Sequence, residues 1–576
     1  MPTYDLVIRG GTVIDGTGAP ARTADVAIDR GRIVGVGKGS GTGTHEIDAT
    51  GALVTPGFVD IHAHYDGQAT WDHQLAPSSL QGVTTVVMGN CGVGFAPVRP
   101  EDHQRLIELM EGVEDIPGAA LHEGLSWEWQ TFAEYLDAVD RVRHDIDVAA
   151  QVPHGALRLH VMGERGANRE PASADDIARM AQLAAEGVDA GGLGFTTSRT
   201  INHRTSLGEP TPTLTAAADE LVGIANALGA IGKGVLQVVT DHMNSDDEFA
   251  MFRRMVAESG RPLSFSLLQS PLEPDGYRQV LDRITAARDD GLAITGQVAT
   301  RAIGLLFGLQ CTLHPFMSNP VFKEIAALPV PEQARIMADP GFKARLLGAS
   351  SDEAVRNKIG GMLISRFGFM FELEDPPNYE PDLSDSMEAR AGRAGQPVEE
   401  FVYDLLIADE GRTLLYMPVA NFAGGTLDAA RDMLAHPYTV PGLGDGGAHV
   451  GTICDGSFPT TLLTLWGRDR DRGRLDLPFL IQRHCRDTAR TVGLFDRGVL
   501  APGYKADVNV IDFDRLVARR PEVRYDLPAG GRRLLQRADG YTHTFVNGVE
   551  IYADGEATGA LPGRLVRGGQ PEPAGG

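Results

Sequence analysis

The stretch Thr55-Pro56-Gly57-Phe58-Val59-Asp60-Ile61-His62-Ala63-His64 is an apolar run that ends in two histidines one residue apart. In an extended strand alternate side chains share a face, so the two imidazoles point the same way and can reach one divalent cation. Taken alone the pair is weak evidence, since two histidines can equally be solvated or satisfied by core hydrogen bonds. Position strengthens it. The run Leu53–Ile61 leaves a short β-rich amino-terminal segment and closes on His62 and His64, with Asp60 and Asp66 beside them. A barrel of parallel strands opens its catalytic face at strand ends of this kind.

Working outward, seven further strand-like runs follow: Thr84–Met88, Val148–Val152, Gly191–Thr196, Val235–Val239, Leu263–Leu268, Ala293–Val298 and Thr439–Leu443. Amphipathic helical stretches at Ser173–Glu186, Ala216–Leu228, Ser245–Glu258 and Gly276–Asp289 fall between several of them. The alternation sets the class as α/β and predicts an eight-stranded (β/α) barrel, although a doubly wound sheet alternates in the same way. Between Val298 and Thr439 the interval is too long for an ordinary loop and holds the helical pieces Val330–Met337 and Val398–Leu406. It predicts an inserted lid at about residues 300–438 within a catalytic domain of residues 56–499. Residues 1–55 and 500–567 are expected to pair as one small β-sandwich. Tyr4–Val13 and Asp25–Val36 each read as strands broken by a glycine turn into antiparallel hairpins, and Ala506–Asp512 and His543–Tyr552 repeat the pattern. Asn547-Gly548 is a strong hairpin-turn signal, and the Gly/Pro-rich Gly568–Gly576 is expected to fray.

Composition bounds the function. The 576 residues carry 52 Lys+Arg against 77 Asp+Glu, a formal charge of −25, which argues against a nucleic-acid partner. Cys91, Cys311, Cys454 and Cys485 show no CxxC spacing, so neither a disulfide framework nor a thiolate zinc cluster is expected, and a reducing cytoplasm fits best. Met1 to Gly10 lacks a basic stretch followed by an apolar run and reads as structure, not as a secretory signal. The most apolar long segment, Leu292–Cys311, is interrupted by Gln297, Arg301 and Gln310, so no membrane span is expected. A homo-oligomer is compatible with the sequence, which does not specify one.

Two more segments place chemistry at strand ends. Gly89-Asn90-Cys91-Gly92 directly follows Thr84–Met88, and its glycines let the backbone present a thiol; a thiolate is a good zinc ligand, while an isolated cysteine is more often a small buried thiol. Gly442-Leu443-Gly444-Asp445-Gly446-Gly447-Ala448-His449 puts an aspartate among glycines at the end of the last strand. That segment reads either as a surface turn or as a carboxylate that touches a metal and accepts a proton from its water.

Together with Val152–Arg158 (VPHGALR), Gly192–Thr197 (GLGFTT) and Gly498–Asp512 (GVLAPGYKADVNVID), these motifs resemble the amidohydrolase superfamily, and within it the N-acyl-D-amino-acid deacylase (D-aminoacylase) family. The resemblance runs from Tyr4 to about Arg567. It implies a distorted TIM barrel with a small β-sandwich built from both chain ends, His62, His64 and Cys91 as zinc ligands, and Asp445 as the metal-contacting acid/base. His154 matches a family motif and is a candidate substrate contact. Many amidohydrolases bridge two metals with a carbamylated lysine on strand four, but the lysines here are Lys38, Lys233, Lys323, Lys343, Lys358 and Lys505, none on Gly191–Thr196. Cys91 is the substitute that the resemblance suggests.

Departures from the family pattern narrow the reading. Strand six reads Ser264-Phe-Ser-Leu-Leu-Gln269, with leucines where the family has histidines, and strand five ends in Thr240-Asp241-His242, where the orientation of His242 is open. One zinc ion held by His62, His64, Asp445 and Cys91 or water is therefore expected over two, with His449 or His242 available to complete the shell. The family's lysine, tyrosines and His-Pro-Arg that grip a substrate carboxylate are also replaced, leaving Arg158, Arg199 and Arg301 as candidate substitutes. The expected activity is hydrolysis of a small-molecule, non-peptide amide by metal-activated water. A cyclic-amide hydrolase, a deaminase, and a metal-poor binding homologue are the alternatives.

Overall fold

The computed structural model describes residues 3–39, 41–349 and 363–574. Eight parallel strands form its centre: strand one Phe58–Asp60, two Val83–Met88, three Asp147–Ala150 continued by Val152–Pro153, four Gly194–Arg199, five Val235–Thr240, six Leu263–Leu267, seven Ile294–Val298 and eight Thr439–Pro441. Each pairs in parallel with the next. A bridge between Ala63 and Gly446 joins the end of strand one to the segment beyond strand eight and closes the ring. The barrel is therefore the α/β fold that the alternation predicts. Its helices include Ala174–Asp189, Ala218–Ile231, Asp246–Ser259 and Gly276–Asp289. The first is fixed at its start by a capping box, Ser173 accepting from the Asp176 amide while the Asp176 side chain accepts from the Ser173 amide.

Strands from both chain ends share one nine-stranded sheet, in which Leu53–Pro56 pairs with Val508–Ile511. Several expectations are corrected here. Leu53–Ile61 is not one strand: it divides at Gly57 between the terminal sheet and the barrel, because a Cβ at Gly57 would stand 2.2 Å from Thr84 Oγ1. Thr3–Val13 is not broken into a hairpin, its glycines instead marking a bulge, and it pairs in parallel with Thr42–Asp48 as well as antiparallel with Arg22–Asp29. Asn547 (φ 53°) and Gly548 (φ 74°) do form the hairpin turn. Residues 568–574 of the carboxyl-terminal tail are tied down, not frayed, while 575–576 lie outside the described residues: Gln570 exchanges backbone bonds with Phe495 and Gly493, and Glu572 pairs with Arg490.

Between strands seven and eight, residues 303–420 contribute a three-stranded sheet and helices that include Val330–Met337 and Val398–Leu406, both at the positions predicted. Residues 350–362 of this stretch lie outside the described residues. The insert has its own apolar cluster, with Phe307, Met337, Met370, Val402, Tyr403 and Leu415 at its centre.

A buried ionic network fastens the barrel to the segment that enters the terminal sheet. Arg497 reaches Asp147 at 2.8 Å and Asp496 at 2.9 Å, and Lys505 reaches Asp147 at 3.1 Å and Asp507 at 2.6 Å. Removing one partner of such a network strands the others in a low-dielectric interior, so Arg497→Met is expected to cost about 3–5 kcal/mol in urea unfolding. A loss below about 1 kcal/mol, the worth of a surface pair, would show that the network is not what fastens the two parts.

Candidate metal centre

The closure of the barrel builds the site. Asp445 N donates to His62 O at 3.0 Å, and His64 N donates to Gly446 O at 2.8 Å. These bonds hold the end of strand one against the loop after strand eight, and the two histidines and Asp445 face one another. His62 Nε2 lies 3.4 Å from Asp445 Oδ1, and His64 Nε2 lies 3.7 Å from the same oxygen. Cys91 Sγ is 3.3 Å from His62 Nε2. Donor atoms of His62, His64 and Cys91 all lie within 4.8 Å of one another.

The turn that delivers Cys91 needs its glycines. Cys91 itself is left-handed (φ 56°), between Gly89 (φ 83°) and Gly92 (φ 66°), and a Cβ on Gly89 would sit 2.3 Å from Gln151 O. Asn90 secures the turn by donating to Val87 O at 2.8 Å and Ala63 O at 3.3 Å.

Imidazole tautomers follow from the other ring nitrogens. His62 Nδ1 donates to Gln297 Oε1 at 2.8 Å, since an amide oxygen only accepts, and Gln297 Nε2 donates on to Ser264 at 2.9 Å. This leaves the His62 Nε2 lone pair directed at Cys91 and Asp445. On His64, Nδ1 faces Glu114 Oε1 at 3.3 Å. An amide partner behind a metal-binding histidine commonly fixes the ring as Gln297 does for His62.

Electrostatics of the cluster suit a cation. Burial opposes charge on Asp445, yet His64 and His62 prevail and hold its carboxyl well below the usual range. Burial and then the nearby Glu114 and Asp445 push the Cys91 thiol far up, and burial pushes Asp60 to about 7. His64 Nε2 and Asp445 Oδ1 are buried and make no hydrogen bond. Orphaned donor atoms on imidazole and carboxylate, next to a thiol that only a nearby positive charge would ionise, fit a zinc-type ion.

The other predicted site residues are placed elsewhere. His154 is buried, bonded through Nδ1 to Thr197 and through Nε2 to Glu220, each at 2.8 Å. Glu220 is also gripped by Arg158 at 2.6 Å, so the guanidinium expected to meet a substrate is spent within the core. Arg199 pairs with Glu248 at 2.8 Å, and Arg301 pairs with Asp455 at 2.7 Å beneath the Tyr379 ring. These four expected substrate contacts are thus committed to partners of their own. His242 is exposed on the loop after strand five, while His449 enters the cluster, its Nε2 lying 4.0 Å from Asp445 Oδ2.

Sequence reading missed Glu114, Gln297 and His203. Glu114 ends helix His103–Glu114 on the apolar face that carries Ile107 and Met110, and an acidic residue on such a face was the available signal. His203, held through Nδ1 by Ser198 Oγ at 2.9 Å, stands close enough to His449 and His64 that burial and their charge press its pKa down to about 3. Nothing local in its sequence marks it.

Comparison with known proteins gives the family. Residues 45–359 and 389–552 match the amidohydrolase family. The D-aminoacylase of Alcaligenes xylosoxydans xylosoxydans is 25% identical over 572 residues, covering 98% of this chain and 97% of that protein. An N-acyl-D-glutamate deacylase from Bordetella bronchiseptica, solved with zinc and a phosphonate mimic of the tetrahedral intermediate, is 25% identical with a TM-score of 0.63, covering 98% of this chain and all of that one. A D-aminoacylase with a binuclear metal center shares the fold at a TM-score of 0.63 and 24% identity, again over 98% of this chain and 100% of its own. With a family match over most of its length and relatives that span it end to end, the chain belongs to the amidohydrolase family and is a metal-dependent hydrolase of carbon–nitrogen bonds other than peptide bonds.

Proposed function

We propose that the protein deacylates an N-acyl compound, with His62, His64, Cys91 and Asp445 holding one zinc ion and Asp445 acting as the proton carrier. The observation that carries this reading is the convergence of two imidazole nitrogens, a thiol and a carboxylate oxygen at the open end of the barrel. When bound, the ion supplies Lewis acidity that acidifies a water and polarises a carbonyl. Asp445, kept ionised at neutral pH by its imidazole neighbours, accepts the proton of the attacking water and returns it to the departing nitrogen. Gln297 accepts from His62 Nδ1 and so leaves the His62 Nε2 lone pair facing the cluster, and Glu114 stands behind His64 at 3.3 Å.

Relatives named D-aminoacylase and N-acyl-D-aspartate deacylase bring N-acyl-D-amino acids forward as the substrate class. One observation favours a neutral amide instead: Arg158, Arg199 and Arg301 are all paired, and a net charge of −25 repels anions at long range. The insert between strands seven and eight is the proposed lid that sets the choice, since its Leu306 and Thr312 amides bond the loop around His449. A cytoplasmic setting is supported by four free cysteines. Among the described residues no helix is long and apolar enough to cross a membrane.

Elemental analysis tests the ligand assignment: His62→Ala is expected to abolish zinc retention, whereas Leu267→Ala, a packing residue of strand six, keeps it. Loss of zinc from both or from neither would refute the assignment. Asp445→Asn is expected to lower kcat by about 10²–10⁴-fold, the usual worth of a positioned proton carrier. Assayed with and without zinc, a panel of N-acyl-D-amino acids, N-acyl-L-amino acids, neutral amides and cyclic amides decides the substrate. Turnover confined to neutral amides would remove the amino-acid reading, and a chain that neither takes up zinc nor turns over any of them would be a binding homologue.

A further inference from the structure

Against a formal charge of −25, one part of the molecule is locally basic. Leu477–Gln482, Arg483–Asp487 and Thr488–Thr491 run on as one helix, in which Arg483, Arg486 and Arg490 recur at intervals of three and four residues and so share a face. That face lines a cleft of 540 Å³, together with Arg288 from the last turn of helix Gly276–Asp289, Thr295 and Tyr438. Thr295 and Thr439, which also lines it, stand where strands seven and eight begin. The cleft therefore lies at the amino-terminal end of the barrel, away from the metal centre.

Its lining holds four guanidiniums and one carboxylate, Asp487. Asp487 is divided between Arg483 and Arg486, one oxygen to each at 3.1 Å, and Arg490 turns to Glu572 at 2.7 Å. Arg288 meets no carboxylate among the described residues: its side chain donates to Thr295 Oγ1 at 3.1 Å, and its Cζ lies 5.2 Å from the centre of the Tyr438 ring. Nε of Arg288 and Nε of Arg483 are buried and make no hydrogen bond, and the Arg483 side chain is only 9% exposed. Burial accordingly holds both guanidiniums below the usual arginine range, whereas Arg301 and Arg497, more deeply buried but matched by carboxylates, are raised. A desolvated guanidinium without an anion beside it is costly, and the cleft leaves the compensating charge to a ligand.

We propose that this cleft binds a phosphate dianion, free or carried by a small molecule, through Arg288, Arg483 and Arg486. Guanidiniums are planar, multiply donating groups that suit phosphate, and arginines from two separate elements can meet a tetrahedral anion on more than one side. A volume of 540 Å³ falls within the range of about 300–1,000 Å³ usual for small-molecule sites. Phe495, which is 39% exposed and lines the same cleft as Tyr438, offers apolar surface to the remainder of a phosphorylated molecule. The inference does not rest on the reading of the metal centre.

Isothermal titration calorimetry of the full, zinc-loaded chain with inorganic phosphate and with phenyl phosphate tests this. Because phosphate can also coordinate zinc, each titration is repeated on His62→Ala, which is expected to keep the cleft site. Arg288→Gln and Arg486→Gln are each expected to weaken binding by about tenfold or more, the worth of one charge-assisted hydrogen bond, and Arg345→Gln, in the insert, to leave it unchanged. Arg288→Gln, which strands no carboxylate, serves if Arg486→Gln fails to fold by circular dichroism. Tighter binding of phenyl phosphate marks the carried form and equal affinity the free ion, and both support the site. Absence of binding at millimolar ligand, binding that disappears in His62→Ala, or binding that survives Arg288→Gln unchanged overturns it.

Discussion

Two backbone hydrogen bonds, from Asp445 N to His62 O and from His64 N to Gly446 O, are the constraint on which the rest depends. They close the barrel and, in the same act, bring a carboxylate from the end of the chain's catalytic region against two imidazoles from its beginning. The closing loop adopts conformations that L-residues resist, with Leu443 at φ 61°, Asp445 at φ 46° and His449 at φ 49°. Each such residue costs on the order of 1–3 kcal/mol and persists where surrounding structure overdetermines it. Here the neighbouring glycines and the bonds to strand one provide that support, and the left-handed Cys91 completes the pattern on the opposite side of the cluster.

Charge is used in two distinct ways. Away from the centre, buried ions are matched: Arg158 with Glu220, Arg301 with Asp455, Arg497 with Asp147. A guanidinium and a carboxylate held together in this way specify packing and offer little to a ligand. At the centre the balance differs. Asp445, Glu114, Asp60 and Cys91 crowd around histidines whose own protonation burial opposes, and several oxygen and nitrogen atoms there make no hydrogen bond. That imbalance separates the site from the structural ion pairs more clearly than residue type does.

Two excursions of the chain bond the loop after strand eight. The insert contributes Leu306 and Thr312, whose amides bond Thr452 and Gly451, and the excursion between two strands of the terminal sheet, Val508–Ile511 and Tyr541–Val546, contributes Leu534, whose amide bonds Val450. Both excursions thus converge on the loop that carries Asp445 and His449.

The sequence alone determined what is coded within a few residues. Alternation along Phe58–His64 put both histidines on one face, short apolar runs located all eight barrel strands, helical periodicity placed Gly276–Asp289, and Asn547-Gly548 fixed a hairpin. Motif resemblance added Cys91 and Asp445. Only the tertiary structure decided which charges meet. It paired Arg158, Arg199 and Arg301 each with a carboxylate, and it set Glu114, at the end of helix His103–Glu114, behind His64. The physical reason is range: backbone dihedrals and side-chain direction repeat over one turn or one strand, whereas an ion pair or a ligand set joins side chains whose separation along the chain carries no periodic trace.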